Sequence, residues 1–255
     1  MMEAVLILMY VYAFVVGCCM ASFINVVIYR VPLGISVAQG RSFCPSCQHQ
    51  LHALDLIPIL SYICLGGKCR YCHEHIGMRD TLLELLGGLL GMLCFYRYGF
   101  SMMTVIAFAF VMLLQAIAFI DLDTMEIPNG LVVGCFIIGF ISIPFLHIDM
   151  ISRIIGIFIV SVPLIVLNMV IPDAFGGGDI KLLAACGFFM GWVNVLIGMF
   201  IAVLLAGGYA IYLMLSHKID KGGHIAFGPY LCIGMFISLL YGSQLLSSYL
   251  SLFGL

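Results

Sequence analysis

Long runs of apolar residues, separated by short polar stretches, extend along the whole chain. A membrane-spanning helix needs about 20 mostly apolar residues, and several of these runs reach that length. The sequence lacks the alternation of polar and apolar residues that marks membrane-spanning strands, so helices must satisfy the backbone hydrogen bonds in a bilayer. We predict eight helical spans, at about 4–29, 81–96, 101–120, 130–147, 151–171, 180–194, 195–216 and 225–252.

Two of these runs need interpretation. The run from 180 to 216 is far too long for one crossing, so we place a break at 191–194, where the sequence reads Gly, Trp, Val, Asn. The first run has no basic segment before it and no small-residue cleavage site after it, and it is longer than the apolar part of a signal peptide. We therefore expect residues 1–29 to form a span that is kept.

Composition supports a membrane protein and excludes other classes. Hydrophobic residues make up 64% of the 255 residues and charged residues 9%. In a soluble domain roughly half of the residues are apolar and about a quarter are charged. A disordered or nucleic-acid-binding chain needs many charges or a basic excess, but the formal net charge here is −2. We predict an all-α polytopic membrane protein that is surrounded by the lipid bilayer and has no nucleic-acid partner.

The basic residues predict the orientation of the spans. With eight spans, Arg97 and Arg153 fall on one side, and the remaining eight Lys and Arg fall on the other: Arg30, Arg41, Lys68, Arg70, Arg79, Lys181, Lys218 and Lys221. The side with the excess of Lys and Arg faces the cytosol under the positive-inside rule. Both termini are then outside, and the loops in the cytosol are 30–80, 121–129, 172–179 and 217–224.

Four of the eleven cysteines form two Cys-x-x-Cys motifs, Cys44 with Cys47 and Cys69 with Cys72, with 21 residues between the motifs. Four thiolates supply the tetrahedral sulfur shell that structural zinc prefers. The alternatives are a redox pair or two disulfides, but cytosolic disulfides are rare and a redox site needs only one such motif. We predict zinc in a cytosolic insert at 30–80, between the first and second spans, which is too short and too poor in apolar residues to fold alone.

Acidic residues mark the ends of two predicted spans. Asp121, Asp123 and Glu126 follow the third span, and Asp179 precedes the sixth directly after three glycines. Acids at span ends often only face water, and an Asp that opens a helix also caps it. Asp121 and Asp179 at one membrane depth are, however, a candidate pair in which one carboxylate accepts a proton from water and the protonated partner polarises a peptide carbonyl. From this chemistry alone, a peptidase and a proton-coupled transporter are equally consistent with the sequence.

The order and spacing of the motifs resemble those of the type 4 prepilin peptidases, the leader peptidases and N-methyltransferases of bacterial pilus, secretion and competence systems. Asp121 stands in the aspartate position of the first catalytic motif of that family, and Asp179 stands in that of its Gly-x-Gly-Asp motif. Asn129 and Ala226 depart from the pattern, since many relatives have Asp and Pro there. The resemblance runs nearly end to end, and the matching segments are 17–32, 44–72, 120–128, 176–191 and 227–230.

This resemblance implies a membrane aspartic endopeptidase, with Asp121 and Asp179 as its catalytic pair, that removes the leader from prepilins or pseudopilins at the cytosolic face of the bacterial inner membrane. It also implies methylation of the new amino terminus with S-adenosylmethionine, and Gly67 and Lys68 match positions that the family links to this activity. A peptidase without methylation, a transporter and a non-catalytic scaffold are the alternatives. The implied domains are a first span at 1–29, a zinc-binding, methyltransferase-associated domain at 30–80 and a peptidase domain at 81–255.

Overall fold

The computed structural model describes residues 2–38, 40–172, 174–216 and 225–252. These residues form helices, one short 3-10 turn at Ala53–Asp55 and two isolated β-bridges. Lys218 and Lys221, which contribute to the predicted orientation, lie outside the described residues. The helices are α1 (Met2–Arg30), α2 (Leu60–Cys64), α3 (Met78–Tyr98), α4 (Met102–Thr124), α5 (Asn129–Ile141), α6 (Met150–Val170), α7 (Gly177–Leu215) and α8 (Gly228–Ser251).

Every predicted apolar run coincides with a helix, which confirms an all-α membrane protein. Among the described residues, five helices are long and apolar enough to cross a membrane, namely α1, α4, α6, α7 and α8. Helix α5 is apolar but shorter, and α3 carries charged residues at both ends. The number of crossings is therefore five by length and composition, and eight when α3, α5 and both halves of α7 are counted as spans.

Helix α7 contains the break that its length predicts. Gly191 has φ 79 and ψ 170, a backbone conformation that only glycine adopts readily. In a straight helix with a rise of 1.5 Å per residue, Asp179 and Ala210 would lie about 46 Å apart, yet both line the same cavity. The chain must therefore reverse direction at Gly191, so that α7 is a pair of antiparallel helical halves. This confirms the break predicted at 191–194.

The chain divides into two compact units, Met1–Phe108 and Ala109–Leu255. In the first unit α1 packs closely against α3, because a Cβ on Gly17 would lie 2.4 Å from the carbonyl oxygen of Gly87. The side-chain amide of Asn25 in α1 also donates to the carbonyl of Asp80 in α3. Helix α3 thus groups by packing with α1, whereas the domain limits 1–29, 30–80 and 81–255 divide the chain by function and stay a prediction.

In the second unit, a buried arginine joins the turn of α7 to the end of α5. Arg153, in the first turns of α6, is 0% exposed. Its Nη1 donates to the Ser142 hydroxyl at 3.0 Å and to the carbonyl of Phe188, just before the break, at 3.1 Å. Its Nη2 donates to the carbonyl of Leu146. A cation next to the carbonyl ends of helices interacts favourably with their dipoles, so Arg153 stabilises the reversal of α7.

Candidate active site and metal centre

Asp121 and Asp179 line one cavity of about 630 Å³ in the second unit. Asp121 lies in the last turn of α4, and Asp179 is the third residue of α7, so the ends of two apolar helices carry the two carboxylates. Their residues are only 5% and 8% exposed. The structure therefore brings the two aspartates singled out from the sequence to one buried place.

The carboxylate of Asp121 is held by the beginning of α8. The backbone N–H of Gly228, the first residue of α8, donates to Asp121 Oδ2 at 2.9 Å. A Cβ on Gly228 would lie 2.6 Å from the same oxygen, so only glycine allows the helix to approach this closely. An N–H at a helix N-terminus stabilises negative charge on a carboxylate oxygen. This contact is the main site feature that the sequence does not reveal, because residues 227–230 match a family motif but carry no chemical group that indicates a role.

Asp179 has a different environment. Its Oδ1 atom is buried and has no hydrogen-bond partner among the described residues. The cost of an unpaired buried oxygen is about 1–3 kcal/mol, so such an atom in a cavity marks a place where a proton or a ligand group is expected. The Gly-rich segment before Asp179 is fixed by Asn168, whose side-chain amide donates to the carbonyl of Phe175 and whose oxygen accepts from the Phe175 N–H. The backbone of Gly176 also gives Asp179 a hydrogen bond, so the two aspartates differ in the single Asp179 oxygen that stays unpaired.

Two neighbouring acids lie outside this arrangement. Asp123 and Glu126 are exposed, whereas Asp121 is buried. Residues i and i+2 of a helix point in different directions, so Asp123 leaves α4 on another face than Asp121. Met125, which also lines the cavity, has φ 54 where α4 ends and the chain turns away.

The four cysteines of the two Cys-x-x-Cys motifs form a cluster in the first unit. Their sulfur atoms all lie within 4.8 Å of one another, and those of Cys44 and Cys72 are 3.9 Å apart. Sulfurs about 2.3 Å from a tetrahedral zinc ion lie about 3.8 Å apart, so the cluster fits one metal ion. All four thiols are free, and 3.9 Å is far longer than a disulfide bond of about 2.05 Å.

The two motifs have the same local geometry. Gln48 and His73, each directly after the second cysteine of its motif, have φ of 60 and 58. Their backbone N–H groups donate to the carbonyls of Cys44 and Cys69, at 2.8 and 3.0 Å. A bridge then closes each turn, Phe43 to Gln50 and Lys68 to His75. Two equal turns facing each other present four sulfurs from a segment that has few apolar residues to hold it together.

The acidity of the thiols is consistent with a cation site. Hydrogen bonding from the backbone of Cys47 is the main cause that lowers the pKa of Cys44 to about 7. The backbone N–H of Glu74 favours the thiolate of Cys72, but burial and the hydrogen bonds among the other sulfurs outweigh it and raise the pKa of Cys72 to about 12. One thiolate therefore forms easily and further negative charge is disfavoured. A bound divalent cation would remove the penalty on further negative charge, because it stabilises all four thiolates.

The two residues that the resemblance links to methylation precede the second motif. Gly67 is buried, has φ 70, and a Cβ there would lie 2.9 Å from the hydroxyl oxygen of Tyr62. Packing and backbone conformation thus explain the glycine. Lys68 is exposed beside it, and within the second motif Arg70 and Tyr71 both donate to the carboxylate of Asp55, at 2.6 and 2.9 Å.

These features define an all-helical, multi-pass membrane protein with two buried carboxylates in one cavity and a four-cysteine cluster that can hold a metal ion. Residues 15–98 match the profile of the bacterial peptidase A24 N-terminal domain, and residues 107–211 match that of the type IV leader peptidase family. No solved structure matches the chain.

Several similar proteins are each described as a prepilin leader peptidase/N-methyltransferase. The protein of Bacillus subtilis (strain 168) is 30% identical over 94% of this chain and 97% of its own length. The protein of Stutzerimonas stutzeri is 30% identical over 93% of this chain and 92% of its own length. The protein of Pseudomonas putida is 28% identical over 95% of this chain and 94% of its own length. The chain therefore belongs to the type IV leader peptidase family, as the motifs in its sequence predict.

Proposed function

We propose that this protein removes the leader from type 4 prepilins or pseudopilins and then methylates the new amino terminus. The observation that carries the proposal is the pair of buried carboxylates, Asp121 and Asp179, in one cavity at the ends of two apolar helices. Ionisable groups in membrane segments are functional candidates by default, and relatives that align over nearly the whole chain have both activities in their names. The protein acts in the bacterial inner membrane, with the cavity toward the cytosol and both termini outside.

The different surroundings of the two aspartates support different roles for them. Asp121, which accepts the Gly228 N–H, is the ionised member and takes a proton from the attacking water. Asp179, whose Oδ1 is unpaired, is protonated and donates to the oxygen of the scissile carbonyl. As the tetrahedral intermediate collapses, the carbon–nitrogen bond breaks and the nitrogen takes the proton held by Asp121. Asp179 recovers a proton from a hydroxyl of the intermediate, and the pair returns to its first state.

We assign zinc to the four-cysteine cluster, where it would have a structural role. Four sulfurs complete a tetrahedral shell and leave no open position for a substrate or an activated water. Cys44, Cys47, Cys69 and Cys72 would hold the ion and so fix both turns of the segment that carries Gly67 and Lys68. S-adenosylmethionine would supply the methyl group. Gly67 contributes backbone shape rather than a contact group, so the exposed Lys68 is the better candidate of the two to face the methyl donor or the substrate.

A proton-coupled transporter is the second candidate, since it could use the same acids. It should have inverted repeats with acids near the middle of its spans. Asp121 and Asp179 instead lie in the last turn of one helix and the first turn of another, which favours a site near the membrane surface where a peptide can enter.

The experiment is to incubate the purified full-length protein with a prepilin peptide, with and without S-adenosylmethionine, and to weigh the products. Loss of the leader mass in both samples and a further gain of one methyl group only with the donor are expected. Asp179→Asn serves as the inactive control. A wild-type protein that leaves the peptide intact would overturn the proposal, and cleavage without methylation would restrict it to the peptidase.

A further inference from the structure

One stretch of the otherwise polar segment that carries the four-cysteine cluster has no charged residue. Residues 56–67 contain no Asp, Glu, Lys, Arg or His, and we call residues 56–63 the apolar loop. Four of its large apolar side chains are between 39% and 66% exposed, namely Leu56, Ile57, Leu60 and Ile63. Leu60 and Ile63 stand three residues apart in α2 and therefore share a face of this short helix. An exposed apolar patch of this kind marks a surface that contacts another molecule or a membrane.

The apolar loop is fixed to the side of α3. The backbone N–H of Ile59 donates to Oε2 of Glu84, in the second turn of α3, at 2.9 Å. Ile59 has φ 62, which a β-branched residue adopts only at a cost of about 1–3 kcal/mol. A hydrogen bond to a carboxylate contributes about 1.5–3 kcal/mol, which is enough to offset this cost. Glu84 therefore holds the loop in a conformation that its own sequence does not favour.

Contacts between α1 and α3 give the level of Glu84 along the two helices. The side-chain amide of Asn25 in α1 donates to the carbonyl of Asp80 in α3. Further along α3, Gly87 lies against Ala21, because a Cβ on Gly87 would overlap the Ala21 side chain. Glu84 stands between Asp80 and Gly87, so it is level with the part of α1 between Ala21 and Asn25.

This level is the edge of the hydrocarbon core. The apolar part of α1, Glu3–Arg30, has 28 residues and is about 42 Å long, whereas the hydrocarbon core is about 30 Å thick. When α1 is centred in the bilayer, about four residues at each end reach the headgroups, and positions 21–25 lie just inside the core. The backbone of the loop suits this place, because lipid offers no partner to an unsatisfied backbone group. The N–H groups of Leu60, Ser61 and Ile63 all donate to carbonyls within the loop.

We propose that the apolar loop inserts its exposed side chains into the lipid leaflet at this end of α1 and α3, and that Glu84 sets its depth. In the predicted orientation this is the cytosolic leaflet. A lipid surface fits because the loop is uncharged and lies where headgroups meet acyl chains, the level at which amphipathic elements bury their apolar face about 5–10 Å deep. Gly67 and Lys68 follow shortly after α2, so the loop keeps them at the membrane surface, where the new amino terminus of a membrane-bound substrate would lie. This last consequence alone rests on the proposed function.

The test measures the depth of the loop by tryptophan fluorescence in the full-length protein. A Trp192→Phe background removes the one tryptophan of the chain, and Leu60→Trp or Ile63→Trp then reports from the loop in nanodiscs of phosphatidylethanolamine and phosphatidylglycerol. Ser46→Trp, at an exposed polar position of the first Cys-x-x-Cys motif, is the matched control. We expect brominated acyl chains to quench both loop variants at least about threefold more strongly than the control. Acrylamide in the water should quench the control more strongly than the loop variants.

Two outcomes would overturn the insertion. In the first, the loop variants respond to both quenchers as the control does. In the second, both reagents quench the loop variants weakly, because another protein surface, such as a second copy of the chain, covers the patch. Two probes keep the test valid if one variant fails to fold, and neither reading uses enzyme activity, so a failure of the proposed function is distinguishable from a failure of the insertion.

The role of Glu84 is tested in the Leu60→Trp background. Glu84→Ala should lower the quenching by brominated lipid by about half or more, because the Ile59 N–H loses its partner and the loop is released from α3. Glu84→Gln keeps a side-chain oxygen that can accept this N–H, so it should retain the quenching. Asp80→Ala, which removes an acid one turn earlier on α3, should leave the quenching unchanged. Unchanged quenching in Glu84→Ala, or an equal loss in Asp80→Ala, would overturn the positioning role of Glu84.

Discussion

Replacing Gly228 by alanine tests whether the start of α8 positions Asp121, the carboxylate that we propose acts as the base. The added Cβ would lie 2.6 Å from Asp121 Oδ2 and 2.9 Å from its Cγ, so the carboxylate must move. The obstacle is the short Asp121 side chain, whose Cβ would also lie 3.1 Å away, so the carboxylate is displaced and α8 must shift slightly from α4. A hydrogen bond to a charged group contributes about 1.5–3 kcal/mol. Its loss corresponds to a fall of about 10-fold to 150-fold in kcat/KM, and displacement of the base lowers kcat/KM further.

The assay is cleavage of a prepilin peptide at several concentrations, with thermal unfolding in the same detergent as a check on folding. Gly130→Ala is the matched control, because a Cβ at this helical glycine meets no atom within 4 Å and alanine favours a helix. We expect the control to retain wild-type activity and Gly228→Ala to lose mostly kcat. Cleavage by Gly228→Ala within twofold of wild type, with normal unfolding, would refute the role of this contact.

If Asp121 and Asp179 are the catalytic pair, as we propose, Asp121→Asn and Asp179→Asn should each abolish cleavage, because an amide cannot accept or share the proton. Asp123→Asn should have a milder effect, and full cleavage by either of the first two variants would contradict the assignment. Serine in place of Cys44, Cys47, Cys69 or Cys72 should release the bound metal ion, which we propose is zinc, and should reduce methylation more than cleavage. Metal emission spectroscopy and product mass measure the two effects. Arg153→Met should lower the unfolding temperature, because the buried carbonyls of Phe188 and Phe189 lose a donor, and an unsatisfied buried acceptor costs about 1–3 kcal/mol. An unchanged temperature would contradict this. In a Ser46→Cys variant without other exposed thiols, a labelling reagent should reach the new cysteine only from the cytosol. Labelling from outside would contradict the predicted orientation.

The architecture and the residue types of both sites could be predicted from the sequence because they depend on local features. The length of an apolar run limits a span, so the 180–216 run had to break, and Gly191 provides the break. Two Cys-x-x-Cys motifs form two equal turns by their own backbone hydrogen bonds, which is why spacing alone predicts the sulfur cluster. The Gly-rich segment before Asp179 and the apolar run before Asp121 distinguish these acids from ordinary surface acids.

Other features depend on contacts between residues far apart in the chain. Gly228 donates to an aspartate 107 positions away, and nothing in 227–230 shows that its amide faces Asp121. Arg153 is interpreted from sequence as a charge at a membrane surface, yet it is fully buried against carbonyls of α5 and α7. The returning half of α7 lines the cavity beside Asp179 only because the chain folds back at Gly191. The sequence alone therefore determines which segments are helices and which side chains can react, since both follow from neighbouring residues. The tertiary structure decides which carboxylate accepts a hydrogen bond from another helix, which one keeps an unpaired oxygen and which cavity they share, because these depend on how separate helices pack.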